Sequence, residues 1–256
     1  WLIEDNCDSL GSQYCLNSKW SYTGTFGDVS TSSFYPPHHM TMGEGGAVYT
    51  NNPLLYKIIK SLRDWGRDCE CPSGVDNLCG HRFDRKYGEL PLGYDHKYVY
   101  SHFGYNLKAT DMQAAIGVAQ LNKLHKFIGR RRDNFDTLKK GLSSVQDRMI
   151  LPEACPDSLP SWFGFLLTCN EESDRNKIVA NLEVKGIQKR MLFAGNITKH
   201  PCFNMLKQNE EYRIVGELDN TDKIMRNSLW IGVYPGMTEN MLNYIMNAIT
   251  EYCGNN

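Results

Sequence analysis

Apolar residues recur along the chain in two distinct rhythms, and the change from one to the other outlines its elements. Leu2-Ile3 reads as the end of a buried strand running into the acidic turn Glu4-Asp5. Residues 28–35 read as a short strand ahead of Pro36-Pro37, and 47–50 as a second β-prone run after a glycine pair. Asn51-Asn52-Pro53 then opens a helix, since proline is tolerated in a first helical turn. Leu54, Leu55, Ile58, Ile59 and Leu62 mark its apolar face at helical spacing, and Gly66 ends it. Thr110-Asp111 caps a further helix, expected from near Met112 to about Lys140, with Ala115, Val118, Ala119 and Leu121 along one face. The basic run Lys123, Lys126 and Arg130 to Arg132 reads as that helix's solvated side.

From Ile150 the pattern changes. Pro152, Pro156 and Pro160 punctuate a turn-rich stretch, followed by a β run over 162–168 and a helix over 174–185 stopped by Gly186. Strands are expected over 187–193 and 229–233, and a last helix from Met237-Thr238-Glu239 with Leu242, Ile245, Met246 and Ile249 on one side. This order gives an α/β unit over 1–135 and a smaller α+β unit over 136–256. Between the first two helices lies a long irregular stretch, 67–106, rich in Gly, Pro, Asp, Tyr and His. A loop of that length in a compact domain is usually functional or held by something.

Composition narrows the classes. The 256 residues are 41% hydrophobic and 22% charged, with 28 basic against 29 acidic side chains and a net charge of −1. That balance offers no basic surface for nucleic acid or anionic membrane, and no apolar run approaches the roughly 18 residues of a membrane helix. The chain opens Trp1-Leu2-Ile3-Glu4-Asp5 without a basic, apolar leader, so a cytoplasmic setting and a piece lacking its N-terminal part are expected. Nine cysteines, at 7, 15, 69, 71, 79, 155, 169, 202 and 253, are an odd number that cannot all pair within one chain. In a reducing compartment clustered cysteines more often hold metal. Cys155, Cys169 and Cys253 read as small packed hydrophobes, whereas Cys15 and Cys202 have no evident place.

Four segments carry candidate chemistry. Asp5 follows a strand end, where an open α/β sheet places ligand contacts, and a carboxylate there suits a pyridinium nitrogen. The string Ser33-Phe34-Tyr35-Pro36-Pro37-His38-His39-Met40-Thr41-Met42-Gly43-Glu44-Gly45-Gly46-Ala47-Val48 sets a phosphate-suited hydroxyl five residues before a histidine. Cys69, Cys71 and Cys79 are spaced C-x1-C-x7-C in the long loop. This departs from the C-x2-C of zinc knuckles and suits the less regular loops of iron–sulfur sites. Spacing leaves Cys7 and Cys15 as rivals for a fourth ligand. Asn106, in Gly104-Tyr105-Asn106-Leu107, reads as turn or cap chemistry on its own. Arg190 and Asn196, near a strand end, are either substrate contacts or surface residues.

Together, Glu4-Asp5, the 33–48 string, Gly104-Tyr105-Asn106 with Thr110-Asp111-Met112-Gln113-Ala114-Ala115, and Tyr234-Pro235-Gly236-Met237-Thr238 resemble the DegT/DnrJ/EryC1/StrS sugar aminotransferases. The resemblance spans essentially the whole chain. It implies the fold type I of pyridoxal phosphate-dependent transferases, here the C-terminal part of the large doubly wound domain plus a smaller α+β domain. In that family a lysine stands where His38 stands. Histidine there, with Tyr35-Pro36-Pro37-His38-His39, Arg67-Asp68-Cys69 and Gly93-Tyr94-Asp95-His96-Lys97-Tyr98, resembles the family's iron–sulfur 3-dehydrase branch.

The resemblance implies His38 as catalytic base and Asp5 as partner of the pyridinium nitrogen. It gives Ser33 to the phosphate, Asp8 and Tyr35 to the active site, and Asn106 to the phosphate of a partner subunit's cofactor. Cys7, Cys69, Cys71 and Cys79 would hold a [2Fe-2S] cluster. It further implies pyridoxamine 5'-phosphate (PMP) as cofactor, CDP-4-keto-6-deoxy-D-glucose as substrate, an NAD(P)H-dependent flavin/iron–sulfur reductase as partner, and a homodimer. The setting would be 3,6-dideoxyhexose formation for O-antigen. Two other readings stand beside it. One is a cluster-free, PMP-dependent 3-dehydratase of a GDP-linked sugar; the other is a zinc-stabilised, non-catalytic sugar-nucleotide binder.

Overall fold

A computed structural model describes residues 1–72 and 74–254. The chain divides into two units, one of residues 1–10 with 22–122 and one of 11–21 with 123–256.

The first unit is built on a three-stranded sheet. β1 (Ile3–Asp5) lies parallel to β4 (Val29–Ser33), and β4 pairs antiparallel with β5 (Gly46–Tyr49). Between β1 and β4 in sequence run β2 (Gln13–Leu16) and β3 (Lys19–Tyr22). Ser30 and Ser32 of β4 are buried at 2% and 4% exposure, so Thr31 and Ser33 share the opposite face by the two-residue strand period. Asp5 is paired directly with Thr31 and therefore lies on that same face. α1 (Pro53–Arg63) starts as expected: the Asn52 side chain accepts the Leu54 and Leu55 amides, with proline in the first turn. It closes through the Gly66 amide, which donates to the Ser61 carbonyl at 2.8 Å. Glycine is needed there, because its φ is +83° and a Cβ would fall 1.8 Å from the His102 carbonyl oxygen.

The helix expected over 112–140 is two helices, α2 (Asp111–Leu121) and α3 (Leu124–Gly141). Thr110 and Gln113 form a full capping box at the start of α2. The apolar face of α2 is not a core face among the described residues: its one buried residue is Gly117, and Val118 is 63% exposed. No residue of α1 is buried either. Periodicity identifies an apolar face but not its partner.

The second unit carries the hydrophobic core. β6 (Met149–Ile150), β8 (Gly164–Cys169), β10 (Ser228–Gly232) and β9 (Lys189–Met191) form one antiparallel sheet in that order, while β7 (Ser158–Leu159) pairs with β2. Phe165, Leu167 and Cys169 alternate inward along β8. They pack with Phe135 and Leu138 of α3, Ile178 and Leu182 of α4 (Glu172–Val184), and Leu242, Ile245 and Ile249 of α6 (Glu239–Gly254). α5 (Asp219–Asn227) precedes β10. Each fully buried large apolar side chain contributes about 1.5–3 kcal/mol.

Of the basic run, Lys123 and Lys126 are exposed as expected, but the three arginines of α3 are not a solvated face. Arg131 is buried and donates to the Trp162 carbonyl at 3.1 Å; Arg130 donates to the Met237 carbonyl and Arg132 to that of Pro160. The guanidinium groups tie together loop carbonyls that have no strand partner. Asn196 is likewise structural. It is buried, donates to Asp222 at 2.7 Å and accepts from Thr198.

All nine cysteines are free thiols. Cys169 and Cys253 are buried as expected, but Cys155 is exposed. Burial pushes the Cys169 thiol up to about 11. A thiol raised in the folded state stays protonated while the unfolded chain ionises, so its contribution is lost as pH rises from about 9 toward 11. In urea titrations, the stability of the parent protein relative to Cys169→Ala should fall across that window by at most about 1.4 kcal/mol per pH unit. A constant difference would show that the thiol is not held protonated.

Candidate active site

The parallel pairing of β1 and β4 brings their C-terminal ends to one edge of the sheet, the position where open α/β sheets gather ligand-binding groups. Asp5, Ser33 and His38 meet at this edge. Asp5 Oδ1 accepts the Cys7 amide at 3.1 Å and the Thr31 hydroxyl at 3.4 Å. The Cys7 thiol and amide, then Thr31 and the nearby His38, hold the Asp5 carboxyl below the usual carboxylate range against a modest burial penalty. This is an ionised carboxylate at the mouth of the sheet.

Past Ser33 the chain turns back on itself. The Ser33 hydroxyl accepts the Tyr35 amide at 3.3 Å, and the His38 amide donates to the Tyr35 carbonyl at 3.0 Å. This turn lays the His38 ring against the strand end. Its Nδ1 lies 3.2 Å from the Ser33 carbonyl oxygen, and its Nε2 lies 3.0 Å from Asp8 Oδ1. A carbonyl only accepts, so Nδ1 carries hydrogen, and Nε2 is the nitrogen left to exchange a proton with Asp8. The His38 side chain is 14% exposed and that of Asp8 41%. Tyr35 stands edge-on to the ring, with centroids 5.7 Å apart. His39, its neighbour, is buried at 2% exposure.

Two residues given no role of their own by the sequence hold this edge together. Asn6 is buried; its side chain accepts from Thr23 at 2.6 Å and from Ser9, and its amide donates to the Thr31 carbonyl at 2.9 Å. It therefore fixes the turn bearing Cys7 and Asp8. Glu4 accepts three backbone amides, from Gly24, Phe26 and Gly27, at 2.6–2.7 Å. The acidic pair at the end of β1 thus splits its work: Glu4 anchors a loop on one face and Asp5 faces the site. Alternation along the strand was the signal for that division.

The long loop is ordered by charge. Arg82 donates twice to Asp95, at 3.1 and 3.0 Å, and Arg82 and Lys97 both pair with Asp76. Inside this frame Cys69, Cys71 and Cys79 line one small cavity with Asp76, Asn77, Arg82, His96 and Lys97. Hydrogen bonds from the Cys79 backbone and from the other two thiols draw the Cys71 thiol down, whereas burial pushes Cys69 up. A wider cavity of about 720 Å³ adjoins Cys69 and Cys71, lined in part by Lys57, Lys60, Arg63 and Arg67.

Cys7 is not among the residues lining the sulfur cavity. Its thiol lies 3.8 Å from Thr31 Oγ1, and burial pushes it up. Among the described residues no three His, Cys, Asp or Glu side chains are disposed around a single metal-ion position. Asn106 is exposed and bridged to Asp64, and Lys108 donates to its side chain at 3.2 Å.

A family model, the DegT/DnrJ/EryC1/StrS aminotransferase family, matches residues 1–250. The chain belongs to this family. It is 53% identical over its whole length to the lipopolysaccharide biosynthesis protein RfbH of Salmonella typhimurium, covering 57% of that protein. It is 50% identical, over 98% of its length and 53% of the relative's, to dTDP-4-dehydro-2,6-dideoxy-D-glucose 3-dehydratase of Saccharopolyspora spinosa. The chain thus spans about half the length of the curated relatives it matches. Among solved structures, E. coli GDP-4-keto-6-deoxy-D-mannose-3-dehydratase with bound hydrated PLP superposes with a TM-score of 0.78 at 26% identity. That match covers 96% of this chain and 59% of the other. The fold is that of the PLP-dependent aminotransferases, as the sequence resemblance implies. No helix among the described residues is long and apolar enough to cross a membrane.

Proposed function

We propose that this chain carries the catalytic edge of a PMP-dependent sugar-nucleotide 3-dehydrase, which removes the C3 hydroxyl of CDP-4-keto-6-deoxy-D-glucose. The observation that carries the reading is His38 itself. By the sequence resemblance it stands where the family has its Schiff-base lysine, and its two ring nitrogens lie against the Ser33 carbonyl and Asp8. Relatives whose names specify 3-dehydration support it.

The residues at the edge fit the cofactor. Asp5 supplies the anion that keeps a pyridinium nitrogen protonated, and Ser33 supplies a hydroxyl for the phosphate. PMP, when bound, supplies a primary amine for the substrate ketone and a ring that accepts an electron pair. His38 makes no covalent link to it. Its Nδ1–H is tied to the Ser33 carbonyl, so Nε2 would be the atom that takes up a proton beside the bound cofactor and returns one to the departing C3 hydroxyl. Asp8 holds that nitrogen's proton between the two events. Tyr35 shields the ring edge from water.

In this reading Cys69, Cys71 and Cys79, which line one cavity, would hold a sulfur-ligated iron group with Cys7 as the fourth ligand; as they stand, among the described residues, they do not surround one metal position. A [2Fe-2S] cluster on these cysteines would be the relay for single electrons from a separate NAD(P)H-dependent flavin/iron–sulfur reductase. The working form is a homodimer in the cytoplasm, with Asn106 reaching the partner's cofactor phosphate. One observation favours a second reading, a cluster-free 3-dehydratase: Cys7 lies with Thr31 and Asp5 rather than in the cavity of the other three sulfurs.

The test is turnover by the full-length protein with PMP, NAD(P)H and a flavin/iron–sulfur reductase, followed by mass spectrometry. The CDP-linked 4-keto-6-deoxyhexose is expected to lose one water-equivalent oxygen, with slower reaction of the dTDP- and GDP-linked sugars. Amino transfer to any of them, without loss of the C3 oxygen, would refute the proposal.

A further inference from the structure

The wider cavity beside α1 is a cationic one. It encloses about 720 Å³, within the range of small-molecule sites. Six cationic side chains, Lys57, Lys60, Arg63, Arg67, Lys97 and Lys108, share its wall with three carboxylates, Asp64, Asp68 and Glu70. The chain as a whole carries a net charge of −1, so this wall is a local concentration of positive charge. Its carboxylates are already committed. Asp64 pairs with Arg63 at 3.0 Å and with Lys108 at 3.2 Å, Glu70 with Lys57 at 3.1 Å, and Asp68 with His96 at 2.7 Å. Lys97 pairs with Asp76 at 2.8 Å. Among the described residues no carboxylate pairs with Lys60 or Arg67, which meet aromatic rings instead. The Arg67 guanidinium lies 4.6 Å from the centroid of the Trp65 ring and 5.8 Å from that of Tyr98, and the Lys108 ammonium lies 3.2 Å from the same Trp65 ring. Arg67 Nε is buried without a hydrogen-bond partner. The Arg67 backbone is pinned, its amide donating to the Asp64 carbonyl at 3.2 Å and the residue bridging to Tyr100. Stacking on rings holds a guanidinium in place while leaving its N–H donors for an acceptor.

We propose that this cavity is a binding site for a diphosphate group, with Arg67 and Lys60 as its charged contacts. Two cations without carboxylate partners match two phosphates, and a guanidinium fork meets phosphate oxygens with two parallel hydrogen bonds. An anion there also offsets the repulsion between Arg67 and Lys108, two like charges gathered on one indole. The site stands on α1 and the segments that flank it, and depends neither on the role of His38 nor on any metal. The sugar nucleotide of the proposed reaction carries a diphosphate, and so does a free polyphosphate; the recognising chemistry is the same for both.

The experiment is isothermal titration calorimetry on the full-length protein with inorganic pyrophosphate, CDP and cytidine. Wild-type protein should bind pyrophosphate, and Arg67→Gln and Lys60→Gln should each weaken it about 10–100-fold, the worth of one charged hydrogen bond. Arg67→Lys keeps the charge without the fork and should lose less. CDP separates the two sources. If the substrate's own diphosphate sits here, CDP displaces pyrophosphate, the variants weaken CDP but not cytidine, and the KM for the sugar nucleotide rises with kcat little changed. If a free polyphosphate is the ligand, CDP leaves pyrophosphate binding untouched. Either result supports the site. The KM arm rests on the proposed reaction; a protein that binds pyrophosphate through Arg67 and Lys60 but does not dehydrate the sugar nucleotide would defeat that reaction and keep the site. Wild-type protein that does not bind pyrophosphate, or unchanged affinity in both glutamine variants, overturns it. If Arg67→Gln does not fold, Lys60→Gln decides, since no residue of α1 is buried.

Discussion

Replacing His38 with asparagine lowers dehydration of the sugar nucleotide by about 10²–10⁴-fold, the usual worth of a positioned acid–base group. Affinity for PMP should change little. Asparagine retains a polar group that can meet Asp8 and the Ser33 carbonyl, so the turn from Ser33 to His38 keeps its shape. What it lacks is an imidazole nitrogen able to take up and return a proton. In the proposed reading cofactor binding would rest on Asp5 and Ser33, which the substitution leaves in place. The check is a pair of measurements on one preparation, turnover and the dissociation constant for PMP. Loss of both in parallel would indicate that His38 shapes the site rather than moving protons.

Alanine at Cys69, Cys71 or Cys79 abolishes net 3-deoxygenation supported by a reductase. The loss should exceed the roughly 10–100-fold that removal of an outer partner of a metal site costs. Iron and labile sulfide should disappear with it, together with the visible absorbance of the cluster. The three sulfurs share one cavity, and the ion pairs of Arg82 with Asp76 and Asp95 hold the loop without help from metal. The variant loop should therefore remain folded, and PMP should bind as before. Cys7→Ala belongs in the same series, because Cys7 lies with Thr31 and Asp5 and not with the other three. The expected result is equal loss of iron. Full iron retention in Cys7→Ala would exclude it as the fourth ligand, and iron-free wild-type protein with undiminished activity would establish the cluster-free reading.

Much of this was legible in the sequence, and particular residues show why. The Ser33 to Val48 string fixes a strand, a tight return and a second strand, so the meeting of Ser33 with His38 is a local matter that spacing reveals. The ends of α1 were equally plain, because Asn52, Pro53 and Gly66 act through their own backbone geometry. Arg131 was misread as solvated, because a buried guanidinium satisfied by loop carbonyls leaves no local trace. The division of the long helix at Asn122-Lys123 lacks a proline or glycine to announce it. The apolar faces of α1 and α2 are legible from spacing, which carries no information on what covers them: among the described residues, Gly117 is the one buried position of the two helices. At the site, Asn6 and the contact of His96 with Asp68 and Cys79 depend on residues 17–33 positions apart, a distance at which spacing carries no information.

The central claim is that the His38 imidazole takes a proton from the cofactor carbon in place of a lysine. Tritium placed at C4′ of pyridoxamine phosphate reports this directly. Wild-type protein should release the label to water only when the sugar nucleotide is present, and His38→Asn should release none above background. Release by the asparagine variant at the wild-type rate would contradict the account.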